Sequence, residues 1–221
     1  MKFFSYESKF SQLLLKLCYA CYLNLLWFVC SLPIVTMGAA TTALYYVTLK
    51  IAENREGDIT QQFFQAFRAN FRQATQLWLV LLALGGVLGT DIYVLRHLAA
   101  TTTGLPAALL TLALALVIVA CVVYTLVLLY VFALLARVEN TNVAMLRNSL
   151  LMSLRYLSCS ICLVAIHGAM AIVVIRFFTP ALVLGEGVCA LVGSYLLSPV
   201  IRLCTREEGD MAEFTANRAE R

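Results

Sequence analysis

Residues 24–46 read NLLWFVCSLPIVTMGAATTALYY, and the division of this stretch decides how the chain folds. An apolar run meets Pro33, then continues through small residues and threonines to Tyr45 and Tyr46. The surrounding apolar region, Leu13 to Ile51, would form a single helix of about 58 Å, nearly twice the roughly 30 Å hydrocarbon thickness of a bilayer. Proline removes an interior hydrogen bond and disfavours helix in the residue before it. Leu32-Pro33 is therefore read as the tip of a helical hairpin with arms at 13–32 and 34–51. Each arm is just long enough to cross a membrane.

Composition points the same way. Hydrophobic residues make up 62% of the 221 and charged residues 13%, with a mean hydropathy of +0.88. A soluble domain needs charge on about a quarter of its residues, so this chain cannot cover itself in water. Its apolar runs are continuous rather than alternating, which excludes an outer-membrane barrel. The expected fold is all-α: a polytopic helical membrane protein with a single domain over 1–221. About six segments are expected, at 13–32, 34–51, 77–95, 107–136, 157–175 and 183–203. The start, MKFFSYESKFSQLLLK, lacks the layout of a secretory signal, and the first span is expected to be retained.

Two amphipathic helices are expected between spans, at 59–75 and 142–156. In the first, Asp58 and Gln61 have the spacing of a capping box. Ile59, Phe63, Phe67 and Phe71 recur every four residues on one face, with Arg68 and Arg72 beside them. In the second, Leu146, Leu150 and Leu154 repeat that spacing, with Arg147 and Arg155 alongside. Such helices lie at a membrane surface or against a partner. Phe63, Phe67, Arg68, Phe71, Arg72, Leu146, Leu150 and Arg155 are the candidate docking residues. A weak internal repeat relates the two regions: Leu44-Tyr45-Tyr46-Val47 and Leu129-Tyr130-Val131 each lead to a polar connector, an amphipathic helix and a span.

Charge sets the expected sidedness. With a hairpin at Pro33, 14 of the 16 basic residues fall on one side, leaving Arg96 and Arg176 opposite. A single crossing there would move Lys2, Lys9 and Lys16 across and weaken the bias to 11 against 5. The positive-inside rule favours the hairpin, with both termini, and both amphipathic helices, in the cytoplasm.

Candidates for chemistry are few. Asn24 lies mid-span, where an amide bonds to a neighbouring helix. Gly38 to Thr42 are small enough for close helix approach. Asp91 is the acid within an apolar run and is expected to pair with Arg96 or His97 at an interface, the other reading being a proton or substrate site. His167 is expected to be satisfied between helices. Glu186 is expected in an outer loop. Cys18/Cys21 and Cys159/Cys162 have C-x-x-C spacing but apolar surroundings, so the cysteines are read as small buried residues rather than metal or redox ligands. There is no phosphate-binding glycine loop, no metal-spaced cluster and no Ser-His-Asp set. No catalytic, metal or cofactor-binding residue is assigned, and an enzyme is not expected. The net charge of +4 is explained by anchoring at the membrane, so no nucleic-acid partner is expected.

The stretch NLLWFVCSLPIVTMGAATTALYYVTLK, followed by ITQQFFQAFRANFRQATQLW, resembles the signature of YesL-like bacterial membrane proteins, a family of unknown function. The resemblance covers about Asn24–Trp78; beyond it the match is mainly one of hydropathy. It implies a plasma-membrane protein, mainly of Gram-positive bacteria, often encoded beside carbohydrate ABC importers and polysaccharide-degrading enzymes. It brings no activity and no catalytic residues. Two functions follow as expectations. One is an accessory or permease-like component of carbohydrate uptake that contacts ABC transporter subunits through its amphipathic helices, although the E-A-A…G loop of importer permeases is missing. The other is a structural or regulatory membrane protein or sensor that carries no solute. The lipid bilayer is the expected partner; a homo-oligomer is allowed, and a clean one that holds no importer subunit counts against the first reading.

Overall fold

A computed structural model describes residues 9–55, 57–176 and 185–203. The elements are α1 (Lys9–Ser31), a 3-10 turn (Ile34–Thr36), α2 (Met37–Ala52), α3 (Ile59–Thr101), α4 (Leu105–Leu135), α5 (Asn142–Arg155), α6 (Leu157–Arg176) and α7 (Gly185–Leu203). Six of these helical segments are long and apolar enough to cross a membrane. The fold is an all-α polytopic membrane protein. Lys2, the connection at Thr179-Pro180, the first two residues of the expected last segment and the tail with Cys204, Arg206, Arg218 and Arg221 lie outside the described residues.

The break at Pro33 is present, and neighbouring side chains close it. Thr36 Oγ1 lies 2.6 Å from Cys30 O and 2.8 Å from Pro33 O, so its hydroxyl bridges the end of α1 and the start of the 3-10 turn. Trp27 Nε1 donates to Thr41 Oγ1 at 3.0 Å and clips the two arms together. The second arm, α2, is the centre of the bundle. Ala39, Ala40, Thr42, Ala43 and Leu44 are fully buried, and a Cβ on Gly38 would come within 2.6 Å of Ala74 O. The hydroxyls of Thr42 and Thr48 donate back to Gly38 O and Leu44 O, both at 2.9 Å, so polar atoms reach the core already satisfied.

The largest departure from the expected layout is α3. The amphipathic segment at 59–75 and the span at 77–95 form one helix of 43 residues, about 64 Å long. Asp58 starts it by accepting from Gln61 N at 3.0 Å. No glycine or proline interrupts residues 67–84, so nothing stops propagation. The second amphipathic helix does end before its span: Tyr156, at φ −113° and ψ 55°, separates α5 from α6.

Helix α3 runs antiparallel to α2 over its first half. Gly38, at the start of α2, meets Ala74 and Trp78, and Trp78 Nε1 donates to Ile34 O at 2.7 Å. The hairpin tip therefore sits level with Trp78, and residues 79–101 continue past it. Helix α4 starts after Gly104, whose φ of 77° suits a residue without a Cβ, and returns along α3. Tyr124 OH donates to Leu81 O at 3.1 Å, and the Trp78 and Phe132 rings lie 6.2 Å apart. Between Leu81 and Tyr130 no residue is buried, whereas Tyr130 to Ala136 all are. The apolar helices thus occupy two levels along α3: a bundle around α2, and a helical hairpin that projects from it.

Helix α7 closes the bundle. A Cβ on Gly187 would collide with Ala20 O and crowd Asn24 Cβ on α1, so the two backbones touch there. Ser194 Oγ donates to Thr48 Oγ1 on α2 at 2.8 Å, and Gly193 faces Leu163 on α6.

Candidate functional site

The densest polar constellation lies where α2, α4 and α7 end together. Glu53 caps α2, and Asn54 turns the chain with φ 52°. The Glu53 side chain is only 3% exposed. Its Oε1 lies 2.8 Å from an Arg137 guanidinium nitrogen and accepts from Ser198 Oγ at 2.8 Å and Arg202 Nε at 3.2 Å. Arg55 pairs with its other oxygen. Burial by itself would push the Glu53 carboxyl up, but hydrogen bonds from Arg55, Arg137, Arg202 and Ser198 outweigh it and hold the group well below the usual carboxylate range. Beside this cluster, Lys16 Nζ donates to Asn54 Oδ1 at 2.6 Å and to Tyr195 OH at 3.0 Å, bringing α1 to the same end. A cleft of about 630 Å³ opens there, lined by Ala52, Asn54, Tyr195, Pro199 and Arg202.

Glu53 was not among the residues singled out from the sequence, where it is one of several charges in a connector. The available signal was its place as the first acid after the second apolar run. The pair Glu53-Asn54 also recurs as Glu139-Asn140 at the corresponding point of the internal repeat.

The candidate docking residues separate. Phe63 is fully buried in the protein's own core, so it is not part of a free surface. Phe67 is half-buried and stacks on Phe63 with ring centroids 6.4 Å apart. Phe71 is exposed, packs on Phe67 at 5.5 Å, and has Arg68 and Arg72 exposed beside it. Phe64, which the four-residue spacing passed over, is exposed. On α5 the row turned inward is Met145, Ser149 and Met152; Leu146 and Leu150 are half-buried next to it. Arg155 lies over the Tyr156 ring at 5.7 Å.

The intramembrane candidates also separate. Asn24 is fully buried, and its Oδ1 accepts from Gly187 N at 2.6 Å, supplying a partner for a backbone N–H in the first turn of α7. Asp91 is half-buried, and no ion pair joins it to Arg96 or His97. His167 is satisfied within its own helix rather than between helices, through Nδ1 and Leu163 O at 2.9 Å. Glu186 is not in a loop: it lies in the first turn of α7, half-buried, with His167, Tyr45 and Cys189 as its titratable neighbours. Of the C-x-x-C pairs, Cys159 is turned toward Leu196 O on α7 while Cys162 is exposed, and Cys18 is exposed while Cys21 is half-buried, so neither pair converges on a ligand. Among the described residues no group of three His, Cys, Asp or Glu could hold a metal ion.

Residues 20–92 match the family described as "Protein of unknown function, DUF624". The match begins in α1, contains all of α2 and ends in the projecting half of α3, and it includes the stretch that carries the YesL-like resemblance. No curated protein and no solved structure matches the chain.

Proposed function

We propose that this protein is a non-enzymatic accessory or permease-like component of carbohydrate uptake in the bacterial plasma membrane, with both termini cytoplasmic. In this reading the exposed part of α3, Phe64, Arg68, Phe71 and Arg72, contacts ABC transporter subunits. The supporting observation is the continuity of α3, which carries this aromatic and basic surface on the same rigid helix as its apolar half. A load on the surface is transmitted directly to that half. The YesL-like resemblance supplies the carbohydrate context, and the distribution of Lys and Arg supplies the sidedness.

A second reading, a structural or regulatory protein that carries no solute, gains from one observation. Glu53 ties the ends of α2, α4 and α7 together, which suits a rigid scaffold. Mild-detergent capture of the full chain followed by mass spectrometry separates the two. Importer subunits retained by wild type and lost from a Phe64→Ser/Phe71→Ser variant of unchanged thermal stability support the first reading. A homogeneous homo-oligomer retaining no importer subunit overturns it in favour of the second.

A further inference from the structure

We propose that the cleft beside Glu53 binds a phosphate group, presented by an anionic lipid headgroup. The site is independent of the docking surface on α3. Three apolar segments end around it: Lys16 lies near the start of Ser11–Ser31, Ala52 ends Ile34–Ala52, and Leu203 ends Gly185–Leu203. The cleft therefore stands where these helices leave hydrocarbon, at headgroup depth. Arg202 lines it, as do Asn54 and Tyr195, whose side-chain oxygens hold the Lys16 ammonium at 2.6 and 3.0 Å. Both oxygens are neutral, and among the described residues no carboxylate pairs with Lys16. An ammonium has three donors. Two are fixed against the cleft wall, and the positive charge is left for a ligand.

The rest of the cluster leaves the cleft positive. Even without Arg202, three cations, Lys16, Arg55 and Arg137, stand around one carboxylate. That carboxylate, Glu53, also lines the cleft, but its side chain is 3% exposed and its oxygens are turned to Arg55, Arg137, Ser198 and Arg202. Its charge is already matched, so it does not repel an incoming anion. Lysine meets phosphate as a point charge and arginine through its planar fork. The volume of about 630 Å³ falls in the range of small-molecule sites. What adjoins the cleft favours a lipid over a soluble phosphate. Leu203 lines it and is 52% exposed, and Leu13, one turn from Lys16 on α1, is 66% exposed. Acyl chains cover such a surface and water does not, and basic pockets between membrane helices take acidic headgroups.

The test is native mass spectrometry of the full chain in detergent with equal amounts of phosphatidylglycerol and phosphatidylcholine. The anionic lipid is expected to be retained in preference. Lys16→Met and Arg202→Gln should each lower that preference about fivefold, while Lys16→Arg keeps it; if one of the two neutral variants fails to fold, the other carries the reading. Arg68→Gln/Arg72→Gln, on α3, should leave the preference unchanged. A second arm titrates inorganic phosphate and follows thermal stability. Stabilisation of wild type but not of Lys16→Met, without lipid preference, keeps the phosphate site and makes its ligand soluble. Cations that only offset the carbonyl ends of α2 and α7 would give neither effect. Equal retention of the two lipids with no response to phosphate overturns the site. So does a preference unchanged in Lys16→Met and Arg202→Gln, or one lowered as much by the α3 variant.

Discussion

Glu53 joins helix ends that are far apart in the chain, and the strength of the joint depends on which of its partners is shielded from water. Arg55 and Arg202 are 59% and 61% exposed, so their pairs with Glu53 add little. Arg137 is 21% exposed and faces a carboxylate that is nearly fully buried. Replacing Glu53 by Gln should cost about 2–3 kcal/mol, short of the loss for a fully buried pair, as read by thermal unfolding in detergent. The pH dependence has a definite sign. The folded carboxyl lies below its ordinary value of 4.5, so the stability it contributes is complete above that value and is lost as pH falls through the folded one. The gap between wild type and Glu53→Gln should therefore be constant above about pH 5 and narrow only in acid. Gly187 is a second position where one atom matters. A Cβ there strikes the backbone carbonyl of Ala20, which cannot swing away as a side chain would. Gly187→Ala should destabilise by about 1–3 kcal/mol, and hydrogen exchange should locate the loosening in α1 and α7.

At the scale of elements, the two halves of α3 are joined by a helix without a weak point, and Trp78 marks the junction. Its indole N–H holds Ile34 O at the hairpin tip. Trp78→Phe keeps the ring packing but removes this bond, at a cost of about 1 kcal/mol. Faster hydrogen exchange should appear at Ile34–Thr36 while α2 stays protected; equal acceleration along α2 would contradict a local clasp. Most of the elements were legible in the sequence, but not the joining of 59–75 and 77–95 into one helix. Apolar runs placed the spans, Asp58 marked a helix start, and Leu32-Pro33 marked the turn. What could not be read was which row of an amphipathic helix turns inward. Phe63 and Phe71 share a four-residue row, yet one is fully buried and the other exposed, because that row drifts about 40° per step around a 3.6-residue helix and leaves the buried line of Ile59, Phe63, Ala66, Ala74, Leu77 and Leu81. Glu53 was illegible for a related reason: Arg202 lies 149 residues away, and no local pattern announces a partner at that distance. Glu186 was misplaced because an acid after a proline-containing connection reads as loop, while Asn24 and two glycines build it into a helix.

At the scale of the whole molecule, the length of α3 limits how the protein can sit in a bilayer. A helix of about 64 Å exceeds the roughly 30 Å hydrocarbon core twofold. Its first half exposes Arg68 and Arg72, and an arginine at the bilayer centre costs about 2.5–3.5 kcal/mol. Its second half, with the facing part of α4, exposes Leu84, Val87, Leu109, Leu112 and Leu116 and buries almost nothing. Water penalises that surface, and lipid accepts it. The projecting hairpin is therefore the segment most strongly committed to hydrocarbon, and the tip at Ile34, level with Trp78, falls where α3 passes from its polar to its apolar half. Single spin labels measure this directly in vesicles. A label at Arg72 should respond to a water-soluble relaxant, and labels at Leu84 and Leu116 should respond to oxygen dissolved in lipid. A label at Ile34 should read a depth between those of Arg72 and Leu84. A tip label as deep as Tyr93, on the far side of the apolar half of α3, would require α2 to cross beside residues 79–101 and would overturn the two-level arrangement.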